Sequence, residues 1–255
     1  MLIGWFSSGR DEAARVLLKE TLKAIREGVI KGRISFVFVN RAFGESEESD
    51  KFFKLCEELG LKTLSLSSGA FFPAEKLKDR ERWRSLYHEE VRELIEPYPM
   101  DVGVLAGYML IVSSSFLNRF PLMNLHPALP WGPKGTWEEV MWELIEKRQK
   151  ETGAMIHRVT EELDRGPVLS FFKINLKGPR FDPLWDQLEK RQGDNLREKE
   201  EARLLFRLIR EEEEKREIPL LILTLKTLSE GRINLESPPG LDLTREIEDY
   251  LKRKE

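Results

Sequence analysis

Cysteine is almost missing from this chain: Cys56 stands alone among 255 residues. An internal disulfide is therefore excluded, and a reducing, cytoplasmic setting is expected. Histidine is scarce as well, with His88, His126 and His157 the whole supply. Three scattered imidazoles and one thiol give no ligand spacing, so no metal site is expected. No apolar run approaches the roughly 18 residues that would suggest a membrane-spanning helix. The opening "MLIGWF" has no basic flank and no small-residue cleavage site, so no secretory signal is expected. An excess of one charge is missing too. Forty-two Lys and Arg face 45 Asp and Glu, for a formal net charge of −3, and neither nucleic acid nor a membrane is expected as a partner.

What is present is an ordinary hydrophobic fraction of 40% with an unusually high charged fraction of 34%. The length suffices for one large domain with a substantial core. "MLIGWF", "RISFVFVNR", "LKTLSL" and "DVGVLAGYML" are short β-rich runs. Amphipathic stretches of helical period separate them, among them "AARVLLKETLKAIREG" and "RERWRSLYHEEVRELIE". Strands alternating with helices predict βαβ units, hence an α/β, doubly wound, mostly parallel sheet. Beyond residue 124 the pattern changes. "GTWEEVMWELIEKRQKETG" reads as a helix with Thr136 as its N-cap. "AMIHRVT" and "PVLSFFKINL" read as an antiparallel edge pair joined by a short connector. A charged helical insertion follows over about 183–217, broken near Gly193, and its charge run reads as a solvated face. "IPLLILTLKTLSEGRINL" predicts a further helix, a Gly stop and a terminal strand, before a last helix "REIEDYLKRKE". The whole reads as one domain.

The polar residues gather in a few places. In a parallel sheet, ligands sit beyond the carboxyl ends of the strands. The loop after the first strand, the end of "GVLAGYML" and "NLHPALP" would meet there. Asn124 and His126 alternate onto one side of a strand, and Pro127 and Pro130 stiffen its exit. Asp164 stands before the turn Arg165-Gly166-Pro167. A carboxylate beside a histidine sets its tautomer and takes a proton, and an amide donates to a developing oxyanion. This trio suits acyl-group chemistry without a covalent nucleophile. His157, inside an apolar strand, fits a structural histidine as well as a functional one. His88, on a charged helix, is expected at the surface. Trp131 and Trp137 flank the site loop, with packing the expected role and acceptor binding a lesser one.

"LAGYMLIVSSSFLNRFPLMNLHPALP", then "TGAMIHRVTEELDRGPVLSF", resembles the folate-dependent formyltransferase family, in particular its purine-pathway branch. The resemblance covers most of residues 1 to about 175. It implies a Rossmann-like formyltransferase fold and transfer of formyl from 10-formyltetrahydrofolate to an amine acceptor, glycinamide ribonucleotide first. It makes Asn124, His126 and Asp164 the catalytic set. It places the folate between Met109, Leu110, Ile111 and Val112 and the loop Thr160, Glu161, Glu162 and Leu163. Ser7, Ser8, Gly9 and Arg10 stand where the branch holds its substrate phosphate. Formylation of another amine, hydrolysis of the same folate and a non-catalytic folate-binding module remain alternatives. The charged insertion covers the cleft, makes a homodimer contact or extends outward.

Overall fold

The computed structural model describes residues 1–190 and 196–253. In chain order the elements are β1 (Leu2–Ser7), α1 (Glu12–Arg26), β2 (Arg33–Val39), α2 (Glu47–Glu58), β3 (Thr63–Ser65), α3 (Pro73–Lys78), α4 (Arg80–Ile95), β4 (Val102–Leu105) and α5 (Ser114–Arg119). There follow β5 (Leu122–His126), α6 (Trp137–Glu146), β6 (Glu151–Arg158), β7 (Val168–Asn175), α7 (Asp182–Lys190), a 3₁₀ turn (Leu196–Glu198), α8 (Glu200–Ser229), β8 (Leu241–Asp242) and α9 (Thr244–Lys252). The strands form one sheet in the order β3-β2-β1-β4-β5-β6-β7-β8. Pairing is parallel from β3 to β5, antiparallel for β5–β6 and β6–β7, and parallel again for β7–β8. The expected α/β class, the doubly wound parallel half and the antiparallel pair are all present.

The strands are apolar because helices cover both faces, as parallel sheets require. Alternation assigns the side chains. Ile3 and Trp5 of β1, with Val37, Val104 and Met123, pack in one core beneath α1, α2, α6 and α8. Phe6, Phe36, Phe38, Leu105 and Leu122 pack on the other face against Trp83, Tyr87, Val91 and Ile95 of α4. The helices start where short polar side chains take the first amides. Asp11 accepts from Ala14 N, Ser46 from Ser49 N, and Thr136 forms a reciprocal capping box with Glu139.

Three local expectations are corrected. His88 is not a surface residue: it is 2% exposed, on the inner face of α4. The charge run is not simply a solvated face. Residues 200–229 form one continuous helix with Pro219 inside it, and Glu212 and Glu213 are buried. Glu212 is held by Arg180, Lys215 and Arg216, and Arg216 by Glu248 of α9 at 2.7 Å. Glu213 accepts the Thr152 hydroxyl at 2.7 Å. Ion-paired as it is, Glu212 can enter an interior that would reject it alone, whereas burial pushes the Glu213 pKa well up, toward the neutral acid. The terminal strand is not "RINL", because Asn234 Oδ1 accepts the Glu236 and Ser237 amides and turns the chain. β8 takes that edge place beside β7. The expected break near Gly193 lies outside the described residues. Among the described residues no helix is long and apolar enough to cross a membrane.

Candidate active site

The sheet order reverses between β1 and β4, and the candidate residues stand at the carboxyl ends of β1, β4 and β5. The loops after β1 and β4 are tied together. Ser8 N donates to Gly107 O at 3.1 Å, and Met109 N donates to Ser8 Oγ at 3.0 Å. Ser7 Oγ accepts from Gly9 N at 3.1 Å, and Gly9 has the left-handed φ of 56° that this tight turn demands. Ser7, Ser8 and Gly9 are therefore buried and engaged within the protein, while Arg10 is exposed and pairs with Asp11. The start of α1 carries two carboxylates, Asp11 and Glu12, at the end where a helix favours anions.

The segment after β4 presents Met109 and Ile111 to solvent and buries Val112, with Leu110 half-buried. Across from the sheet, Thr160 is half-buried, Glu161 and Glu162 are exposed, and Leu163 is 58% exposed. Exposed Met109, Ile111 and Leu163 are large apolar groups of the kind a flat ligand covers. His88 supports this segment from below: its Nε2 lies 3.4 Å from Tyr108 Oη, and its Nδ1 lies 3.4 Å from Ser113 N and 2.9 Å from Arg84 O. Burial pushes its pKa down to about 4, so it is neutral.

Asn124 and His126 share one face of β5, two residues apart. His157 of β6 is the direct ladder partner of Asn124, which puts its side chain on that face as well. The carboxylate of Asp164 reaches this group from the β6–β7 connector. His126 Nδ1 lies 3.5 Å from Asp164 Oδ2, and His157 Nε2 lies 3.6 Å from Asp164 Oδ1. All three side chains are at least nine-tenths buried. Gly166 lets the connector fold so tightly, since a Cβ there would overlap the Arg158 carbonyl oxygen. Asp164 itself has a φ of 53°, a left-handed conformation that Asp tolerates better than most residues.

The two tautomers follow from the carbonyls behind the rings. His126 Nε2 lies 3.2 Å from Pro133 O, and His157 Nδ1 lies 2.9 Å from Arg158 O. A carbonyl only accepts, so those nitrogens carry the hydrogens. His126 Nδ1 and His157 Nε2, the nitrogens that face Asp164, are where each ring takes its second proton. Burial lowers the His126 pKa, against the Asp164 charge that raises it. Burial alone would raise the Asp164 pKa, but His157, His126 and Lys134 together bring it below the usual value. Two imidazoles and a carboxylate thus form one proton-exchange site, where an arriving proton lodges between Asp164 and a ring nitrogen.

Residue patterns alone left the part of His157 open and passed over Lys134, whose Nζ donates to Asp164 O at 2.9 Å. The "TGAMIHRV" spacing carried a signal for the first, whereas nothing in "WGPKG" marked the second. Trp131 is 61% exposed, edge-on to Phe171, and Trp137 packs against Phe206. A separate cavity of about 610 Å³ lies between α6 and α8, lined by Trp142, Glu198, Glu200, Arg203, Phe206 and Arg207. Among the described residues no cluster of His, Cys, Asp and Glu has the geometry to hold a metal.

Comparison with known proteins converges on one family. The formyl transferase family matches residues 15–178. The phosphoribosylglycinamide formyltransferase of Escherichia coli (strain K12) is 34% identical over 159 residues, which is 62% of this chain and 66% of that protein. The Saccharomyces cerevisiae enzyme of the same name is 35% identical over 104 residues, 38% of this chain and 49% of that protein. The matched stretch thus spans from about half to just under two thirds of these relatives. The crystal structure of glycinamide ribonucleotide transformylase 1 from Symbiobacterium toebii superposes with a TM-score of 0.65 at 22% identity, covering 92% of this chain and 91% of the other, a likeness of fold. With the family match extending over more than half its length, this chain belongs to the formyl transferase family.

Proposed function

We propose that the protein transfers a formyl group from 10-formyltetrahydrofolate to an amine, with glycinamide ribonucleotide the first acceptor. The observation that carries this reading is the buried Asp164 carboxylate flanked by His126 Nδ1, on the strand face that also presents Asn124. The names of the Escherichia coli and yeast relatives support the acceptor.

The donor lies against Met109, Leu110, Ile111 and Val112 on one side and Thr160, Glu161, Glu162 and Leu163 on the other. The acceptor approaches from Ser7, Ser8, Gly9 and Arg10. The amine attacks the formyl carbon, and the Asn124 amide donates to the oxyanion that develops, with His126 beside it. The proton leaving the amine passes to the His126–Asp164 pair and on to the folate nitrogen as the carbon–nitrogen bond breaks. Burial of the cluster keeps bulk water from competing with the amine.

A second reading, an acceptor without a phosphate, is favoured by Asp11 and Glu12 at the start of α1, since both repel a phosphate there. The test is incubation with 10-formyltetrahydrofolate and glycinamide ribonucleotide, followed for formylated product and for formate. Formylated ribonucleotide supports the first reading. Formate alone makes the protein a hydrolase, and neither product removes the transfer reading.

A further inference from the structure

Pro133 and Lys134 are neighbours in the loop after β5, and each holds one partner of the His126–Asp164 pair. The Pro133 carbonyl takes the His126 Nε2 hydrogen, at 3.2 Å. The Lys134 ammonium donates to the Asp164 backbone carbonyl, at 2.9 Å. We propose that Lys134 is a positioning residue, tethering the Asp164 backbone in its left-handed conformation so that the carboxylate stays between the two imidazoles.

The case rests on what Asp164 needs. A non-glycine residue at a φ of 53° persists where its surroundings over-determine it. The neighbouring chain is held by Arg165 N and Thr160 Oγ1 to Glu162 O, at 3.3 and 3.2 Å, and by Arg158 N to Pro167 O, at 2.9 Å, none of which uses an Asp164 atom. The two histidines approach the carboxylate at 3.5 and 3.6 Å, too long for firm hydrogen bonds. The Lys134 contact is the shortest polar contact that Asp164 makes. It comes from a residue next to the one holding His126, so one dipeptide sets the spacing of the pair. Lys134 is solvent-exposed as a residue, yet its ammonium turns in to the Asp164 carbonyl, where burial lowers its pKa. Exposed Arg165 repels it and exposed Glu162 attracts it. This inference rests on the formyl-transfer reading only for what the pair does, not for how it is held.

Two variants test it, Lys134→Met and Lys134→Arg, read by steady-state kinetics and by NMR titration of the ring signals, which with three histidines are few enough to assign. Small displacements of a reacting group are costly, so Lys134→Met is expected to lower kcat by about 10- to 100-fold. KM for both substrates is expected to hold within about twofold. Lys134→Arg keeps a donor and returns most of kcat. The titration supplies a sign. Burial is the main influence lowering the His126 pKa, Asp164 raises it, and Lys134 lowers it less strongly. Loss of the Lys134 charge alone would move the His126 titration to higher pH. Release of Asp164 would move it to lower pH, and that is the result expected for Lys134→Met. A His126 titration that rises or stays put overturns the proposal, as does a rise in either KM at unchanged kcat, which would make Lys134 a ligand contact. The titration needs no turnover: if the wild-type protein transfers no formyl group, the reaction reading fails and the NMR result still decides the role of Lys134.

Discussion

Asn124 on β5 and His157 on β6 face each other across the antiparallel ladder, so both side chains leave the sheet beside His126. Asn124 brings two amide N–H donors to the group, whereas the N–H hydrogens of His126 and His157 are taken up by backbone carbonyls. Replacing it with Ala is expected to cost about 10²–10³ in kcat, the usual loss for one oxyanion donor. The melting temperature is expected to stay close to that of the wild type, because Asn124 is only partly buried. Turnover assays beside a thermal melt check this, and near-normal activity would take Asn124 out of the mechanism.

The state of His126 sets a pH dependence. Burial lowers its pKa, and the Asp164 charge offsets only part of that. The acceptor form is the neutral ring, so kcat/KM is expected to fall on the acid side with an inflection below the ordinary histidine value of about 6.5. A pH–rate profile measures it directly. An inflection above that value would mean that the Asp164 charge outweighs burial.

Glu213 predicts a pH dependence of stability that is independent of activity. Burial raises its pKa well above the ordinary value, with Thr152 and Arg210 acting in the opposite sense and the charges of Glu217 and Glu214 adding to the rise. A carboxyl whose folded pKa is raised adds stability below its unfolded pKa, and that stability is lost as pH rises through the folded value. Glu213→Gln retains an acceptor for Thr152 and cannot ionise. Its melting temperature is expected to fall less with rising pH than that of the wild type. Parallel slopes for the two proteins would show that Glu213 is ionised in the fold.

Asp11 tests the acceptor. Its carboxylate caps α1 through Ala14 N at 2.9 Å, beside Glu12 in the first turn. Asp11→Asn keeps a capping oxygen and removes one charge. If a phosphate lies at that helix start, KM for glycinamide ribonucleotide is expected to drop by about two- to fivefold, the size of a helix-terminus charge effect. An unchanged KM would place the phosphate elsewhere.

Much of the architecture was legible because the physics behind it is local. β1, β2 and β4 are near-continuous apolar runs, the mark of strands covered on both faces. Thr136 followed by Glu139 spells a capping box. The approach of His126 and Asp164 was legible through the motif order around each. What escaped was set by tertiary packing. His88 lies among charged neighbours, yet it follows Trp83 and Tyr87 around the inner side of α4. Glu212 and Glu213 sit on the turn after Ala202, Leu205 and Ile209, at helical spacing for burial, and tertiary partners such as Arg180 and Thr152 help to explain why carboxyl groups are accepted there. Lys134 belongs to a Pro- and Gly-rich loop whose path no periodicity describes.

The place where parallel pairing gives way to antiparallel, between β5 and β6, divides the chain into regions of unequal tolerance. A single-residue shift of β6 against β5 would put Ile156 or Arg158 opposite Asn124 and send His157 through to the opposite layer. Length changes in the α6–β6 connection, residues 147–150, leave α6, Pro133 and Lys134 in place, whereas one within 151–158 shifts the register against β5. Natural variation in this lineage should therefore gather in the former span and leave the latter at constant length.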